Sequence, residues 1–238
     1  MRLVRVILLL LIPFSVFARG EGSDQLFGQW TTGFINGKFG KDSPWIYMGE
    51  AGIRSSTFTS NGVRKENGYD IGSVPIRVGF GYQINKENSV MIGYLYQYSQ
   101  PPYAKTDINE NRAWQQYQNV QDFKDYGKLQ NRVRFEQREI EEGYGTALRA
   151  RYQFKYMYPI NKDWGLVLNE EVFWNLNTVS WGPVAGFDQN RIFVGPSYQI
   201  NKDIKMEAGY MNNYVNKDTN DDLNSHVFVM NFYYNVPD

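Results

Sequence analysis

The sequence predicts an all-β protein, a transmembrane antiparallel β-barrel of ten strands, or twelve if one further strand has a hidden partner. Three observations carry this. Nearly every stretch after residue 19 alternates apolar with polar residues, the period-two rhythm of strands with two unlike faces. Aromatics sit at the ends of the apolar faces, and arginines sit in the middle of the polar ones. One phrase also recurs: YQINKE at 82–87, YPINKD at 158–163 and YQINKD at 198–203.

A soluble sandwich alternates too, with its apolar faces packed together. The aromatics and arginines favour the barrel. Tyr82, Tyr158 and Tyr198 each open the recurring phrase, just before its turn, as a membrane girdle would. An arginine turned to lipid at mid-bilayer costs about 2–4 kcal/mol, so the mid-strand arginines must point inward.

From the N-terminus, residues 1–18 read as a cleaved signal peptide. Arg2 and Arg5 precede an apolar run from Val6 to Val16, and Val16-Phe17-Ala18 offers small residues for cleavage. The run is too short to span a bilayer. Residues 19–238 then form a single domain. The stretch 25–38, QLFGQWTTGFINGK, has the look of a strand. Counted alone it leaves the N-terminal end outside the cell. It is therefore expected to be a periplasmic or lumenal segment, or one of a pair that raises the count to twelve.

Ten strands follow, at 44–56, 74–84, 90–98, 109–120, 129–138, 147–160, 164–175, 189–200, 204–214 and 225–236. At 74–84, Val74, Ile76, Val78, Phe80, Tyr82 and Ile84 share one face, and Pro75, Arg77, Gly79, Gly81 and Gln83 the other. At 129–138, Leu129, Val133 and Phe135 oppose Arg132, Arg134, Glu136 and Arg138. The stretch 109–120 alternates poorly, and Trp114 with Tyr117 would equally suit a short helix. Parity makes it a strand, because the chain must cross an even number of times between two copies of a turn on one rim. The recurring phrase is that turn: Asn bonds its own backbone and tolerates unusual dihedrals. The stretches 57–73, 99–108, 139–146, 176–188 and 215–224 read as long loops on the other rim.

Composition excludes several classes. Lysine plus arginine and aspartate plus glutamate number 25 each, so no global field draws nucleic acid. There is no cysteine, hence no disulfide framework and no lipid-anchored cysteine. Mean hydropathy is too polar for a bundle of membrane helices, but suits strands that show lipid only every second residue.

At ENRAWQQ (110–116), NRVRFEQR (131–138), RARY (149–152), NEEVF (169–173), FDQNR (187–191) and AGYMNN (208–213) the chain resembles an uncharacterised family of bacterial outer-membrane β-barrels catalogued as a domain of unknown function. The resemblance runs from about Trp30 to the C-terminus. It implies a barrel in the Gram-negative outer membrane, in contact with outer-membrane lipid, and no particular activity. One departure is the ending Tyr234-Asn235-Val236-Pro237-Asp238, where such barrels close on an aromatic residue.

The main constellation is an inward charge set. Arg132, Arg134, Glu136 and Arg138 share a strand face, and Arg149 and Arg151 join them if the flanking strands pair. Arg77, Arg112, Lys155 and Arg191 are expected in the same lumen, opposite Glu50, Glu110, Glu170 or Glu171, and Glu207. Regular interleaving of acids and bases favours a filled ionic core over an open pore passing small solutes or anions. Arg134 is expected to pair with Glu136. Hydrolysis of lipid is the second reading, but His226 and Ser225 are adjacent on a strand and face opposite ways; Ser197 and Ser180 are other candidates. Asp218, Asp221 and Asp222 lack the ligand rhythm of a hard-cation loop. No cofactor motif is present. The sequence thus points to a non-enzymatic structural or narrow-pore barrel in the outer membrane, ahead of a lipid-modifying hydrolase or an exported soluble sandwich.

Overall fold

The structure is a computed structural model that describes residues 24–56, 70–217 and 222–237. The signal-peptide expectation at 1–18, most of the loop 57–73, and Asp218 and Asp221 lie outside the described residues.

Eleven strands form one closed barrel: β1 (Asp24–Lys38), β2 (Trp45–Ser56), β3 (Asp70–Gln83), β4 (Asn88–Ser99), β5 (Ile108–Asp122), β6 (Lys128–Ile140), β7 (Ala147–Pro159), β8 (Trp164–Asn175), β9 (Gly186–Gln199), β10 (Ile204–Val215) and β11 (Leu223–Asn235). Each runs 12–15 residues, more than the roughly 9–11 that a tilted strand needs to cross hydrocarbon. The stretch 109–120 is a full strand within β5, in register with β4 and β6.

The count is eleven, not ten or twelve, because the stretch 25–38 is itself a wall strand. β1 pairs with β2 antiparallel and with β11 parallel, from Asp24 opposite Leu223 to Asn36 opposite Asn235. Parity demands an even count only if every seam is antiparallel. An odd ring closes through one parallel seam, slightly weaker per residue but free of exposed edges. The barrel's first strand consequently starts at one rim and its last ends at the other.

The recurring phrase forms three copies of one turn. The side-chain oxygens of Asn85, Asn161 and Asn201 each accept two backbone N–H bonds from two and three residues on, at 2.9–3.0 Å. With 39–44 and 123–127 they make up the short-turn rim. The loop of residues 100–107 and the other longer connections lie at the opposite rim.

Outside, Val133, Phe135, Leu166, Leu168, Val194, Phe228, Ile76, Val78 and Ile92 are exposed. A surface this apolar is stable only against lipid. At the short-turn rim it is edged by aromatics in contact, Trp45 with Tyr82 at 5.0 Å and Trp164 with Tyr198 at 4.6 Å. The fold is a transmembrane β-barrel.

Candidate functional site

Strand alternation sends Arg77, Arg112, Arg132, Arg134, Glu136, Arg138, Arg149, Arg151, Lys155, Arg191 and Glu207 into the lumen. Glu171 also faces inward. Glu170 does not: it shares the outer face with Leu168 and accepts a bond from Asn190 at 3.0 Å.

Most of the lumenal carboxylates hold two cations each. Glu110 takes Arg112 at 2.7 Å and Arg138 at 2.5 Å. Glu136 takes Arg149 and Arg151, with its side chain fully buried. Glu171 takes Arg132 and Arg151, both at 2.7 Å. Glu207 takes Lys155 and Lys205, both at 2.8 Å, and accepts a bond from the Tyr233 hydroxyl. Lys155 is on β7 and Glu207 on β10, so this bridge spans a chord of the lumen. Glu50 takes Arg77 alone.

Arg134 does not pair with Glu136. The two are separated by one residue on a strand, and Arg149 and Arg151 from β7 reach the carboxylate first. Arg134 instead donates two bonds to the Gln116 carbonyl oxygen and lies 4.7 Å over the Trp114 ring. Trp114 is 0% exposed, laid across Gly79 and Gly93, where any Cβ would collide with its ring.

The network fills only part of the lumen. A chamber of about 820 Å³ runs inward from the short-turn rim, past Lys38, Asp203 and Asn235, to the level of Arg54, Arg112, Arg149 and Arg191. Nearer the long-loop rim the interior is packed by Glu110, Arg138, Gln97, Ser73, Ser99 and Ser225, all buried. Eleven cations line the chamber: nine are among the residues already named, and Lys38 and Arg54 complete the set. They face four acids, Glu50, Glu171, Asp203 and Glu207. Eight of the eleven are arginines, which do not give up their protons in proteins, so the lining always keeps more cations than acids.

Three arginines have no carboxylate partner among the described residues: Arg134, Arg54 and Arg191. Arg54 and Arg191 both lie over the Trp30 ring, at 4.2 and 5.0 Å. Arg191 also shares the Phe173 ring with Arg149 and Arg151, at 4.7, 5.1 and 4.5 Å. Stacking on a ring face is a weak substitute for a counter-ion.

Tyr103, from the loop between β4 and β5, packs inside the barrel against Trp30 of the chamber lining. Its ring fits against Gly28 and Gly72, where a Cβ would displace it. Its oxygen accepts a bond from Trp30 Nε1 at 3.0 Å and donates to the Ser55 carbonyl at 2.8 Å. Burial pushes the phenol above its ordinary pKa, so the hydroxyl keeps the proton it donates.

Arg54, Lys205, Trp30 and Tyr103 were not among the lumenal residues expected from the sequence. For the first two the signal was present: Arg54 keeps parity with Glu50, and Lys205 with Glu207. For Tyr103 it was not, since nothing local distinguishes a loop that enters the lumen. Ser225 and His226 do face opposite sides of the wall: Ser225 is buried inside, and His226 stacks on Phe27 at 5.2 Å and bonds Tyr210 at 2.7 Å outside. Asp222 accepts bonds from the Tyr214 hydroxyl and the Lys217 N–H.

Residues 27–224 match one family model. The chain belongs to the family described as "Protein of unknown function (DUF2490)". A stretch of 141 residues is 32% identical to an uncharacterized protein of Methylorubrum extorquens, covering 58% of this chain and 61% of that relative. The chain thus matches somewhat under two thirds of that relative's length. A solved structure titled as the NanC porin in a rhombohedral crystal form is similar at a TM-score of 0.46 and 11% identity, over 82% of this chain and 93% of that one.

Proposed function

We propose that this protein is an outer-membrane barrel acting as a narrow, anion-selective conduit for small solutes, with no catalytic role. One observation carries the reading: eleven cations against four acids around a chamber open at the short-turn rim. A cationic lining between low-dielectric walls concentrates anions and repels cations. The apolar outer belt with its aromatic edge supports placement in the outer membrane. In this reading the constriction is the loop of Tyr103, which is tied to the Ser55 carbonyl and to Trp30 of the chamber lining.

Purified protein in a planar bilayer under a potassium chloride gradient tests this. The expected result is small steps with a reversal potential on the chloride side, enlarged in Tyr103→Ala. Cation selectivity, or silence in both proteins, sinks the reading. Membrane fractionation tests the location: release without detergent would contradict it.

A further inference from the structure

We infer that the inner end of the chamber is a binding site for a small polyhydroxylated anion, whose carboxylate or phosphate is held by Arg54 and Arg191. The inference rests on the reading that the lumen admits anions, and it names the ligand class and the residues.

Arg54 carries the argument. It donates to no acceptor and meets no carboxylate among the described residues, because Glu50, four positions away on the same face, is taken by Arg77. Arg191 reaches amide oxygens only, that of Asn213 at 3.0 Å and, with its amide turned to face the guanidinium, that of Gln189 at 3.1 Å. Both guanidiniums are gathered on one indole. That indole is fixed by its bond to Tyr103. Two like charges brought together on a fixed platform, with the donors of Arg54 unused, suit an anion. Guanidinium forks suit the planar carboxylate and the phosphate oxygens in two-pronged fashion.

The remaining walls specify the rest of the ligand. Gln118, Gln130, Gln153, Asn169 and Asn231 line the chamber toward its mouth. An amide presents both donors and acceptors, which hydroxyl groups satisfy and a bare anion does not. The Asn169 side-chain oxygen is buried and accepts no bond among the described residues. Phe34 and Tyr233, stacked at 4.7 Å, give the same chamber a flat apolar wall. A volume of about 820 Å³ exceeds what an inorganic ion needs and lies in the range of small-molecule pockets.

Titration calorimetry on the full chain in detergent, with glucuronate, glucose 6-phosphate, inorganic phosphate and glucose, tests the site. Glucuronate and glucose 6-phosphate bind, phosphate binds at least about tenfold more weakly, and glucose gives no heat. Arg54→Gln and Arg191→Gln each lower affinity at least about tenfold, since each removes a charged hydrogen bond. Arg54→Lys, which keeps the charge and loses the fork, falls between. Lys162→Gln, on an exposed turn, leaves affinity within about twofold. Heat-modified gel mobility verifies that each variant is folded. Glucose binding as well as the anions, or full affinity in Arg54→Gln and Arg54→Lys, overturns the site. Anion-selective current without saturable binding overturns the site and leaves the conduit; binding without current upholds the site and removes the conduit.

Discussion

Replacing Glu136 by glutamine should destabilise the barrel far more than removing the neighbouring cation Arg134. The Glu136 side chain is fully buried and accepts bonds from two arginines, at 3.0 and 2.6 Å from Arg149 and at 2.5 Å from Arg151. Glu136→Gln keeps the shape and removes the charge both depend on. Stranding a buried charge costs about 3–5 kcal/mol. Here Arg149 keeps Asp188 at 3.2 Å and Arg151 keeps Glu171, so the lower end applies, about 3 kcal/mol, or roughly a hundredfold in the unfolding equilibrium. Arg134→Leu strands no carboxylate. It loses two bonds to Gln116 and the stack on Trp114, and it relieves the burial of an unpaired cation. These offset, leaving a change within about 1 kcal/mol. Reversible urea unfolding in lipid vesicles, read by tryptophan fluorescence, gives both values. Equal losses in the two variants, or none in Glu136→Gln, would refute the assignment of partners.

Gly93→Val should cost about 2 kcal/mol in the same assay, because its Cβ meets the Val78 carbonyl and the Trp114 ring, and neither can yield cheaply. Glu170→Leu alone should be near neutral, since it frees the outer face of a charge but orphans the buried Asn190 amide; Glu170→Leu with Asn190→Leu should be more stable than wild type, and a destabilised double variant would contradict an outward Glu170. The Tyr103 contact depends on a phenol whose pKa is raised above 10.0 by burial, so it contributes fully below about pH 10 and is lost as pH climbs through the raised value. Phenolate absorbance at 295 nm, compared between wild type and Tyr103→Phe, should show one tyrosine titrating late; a difference spectrum already complete at pH 10 would count against a buried Tyr103.

Much of the fold was legible because membrane strands write their two faces into alternate residues. Val133 and Phe135 against Arg134 and Glu136 settle which side of β6 is lumen. The Asn turns could be read as turns because the chemistry is local to four residues. The strand count could not be read this way, since β1 is set by its parallel seam with β11, some two hundred residues away, and no local pattern reports it. The same limit applies to ion pairs. Proximity in sequence suggested Arg134 for Glu136, but the carboxylate is met by cations from the adjacent strand. The lumen is also less uniformly polar than an alternation of charges implies: Trp30, Val167, Phe193, Met211, Val227 and Val229 pack together within it. Trp30 of that cluster is the ring over which Arg54 and Arg191 lie, and charge patterning alone does not reveal it.

The seam between β1 and β11 has a consequence for engineering and display. Asp24 and Asn235 stand at opposite mouths of the tube, so a short peptide cannot join them, and a circular permutant would need a linker threaded through the charged interior. Epitopes grafted ahead of β1 and behind β11 would be reached by antibodies from different compartments, whereas in an even-stranded ring one compartment would see both.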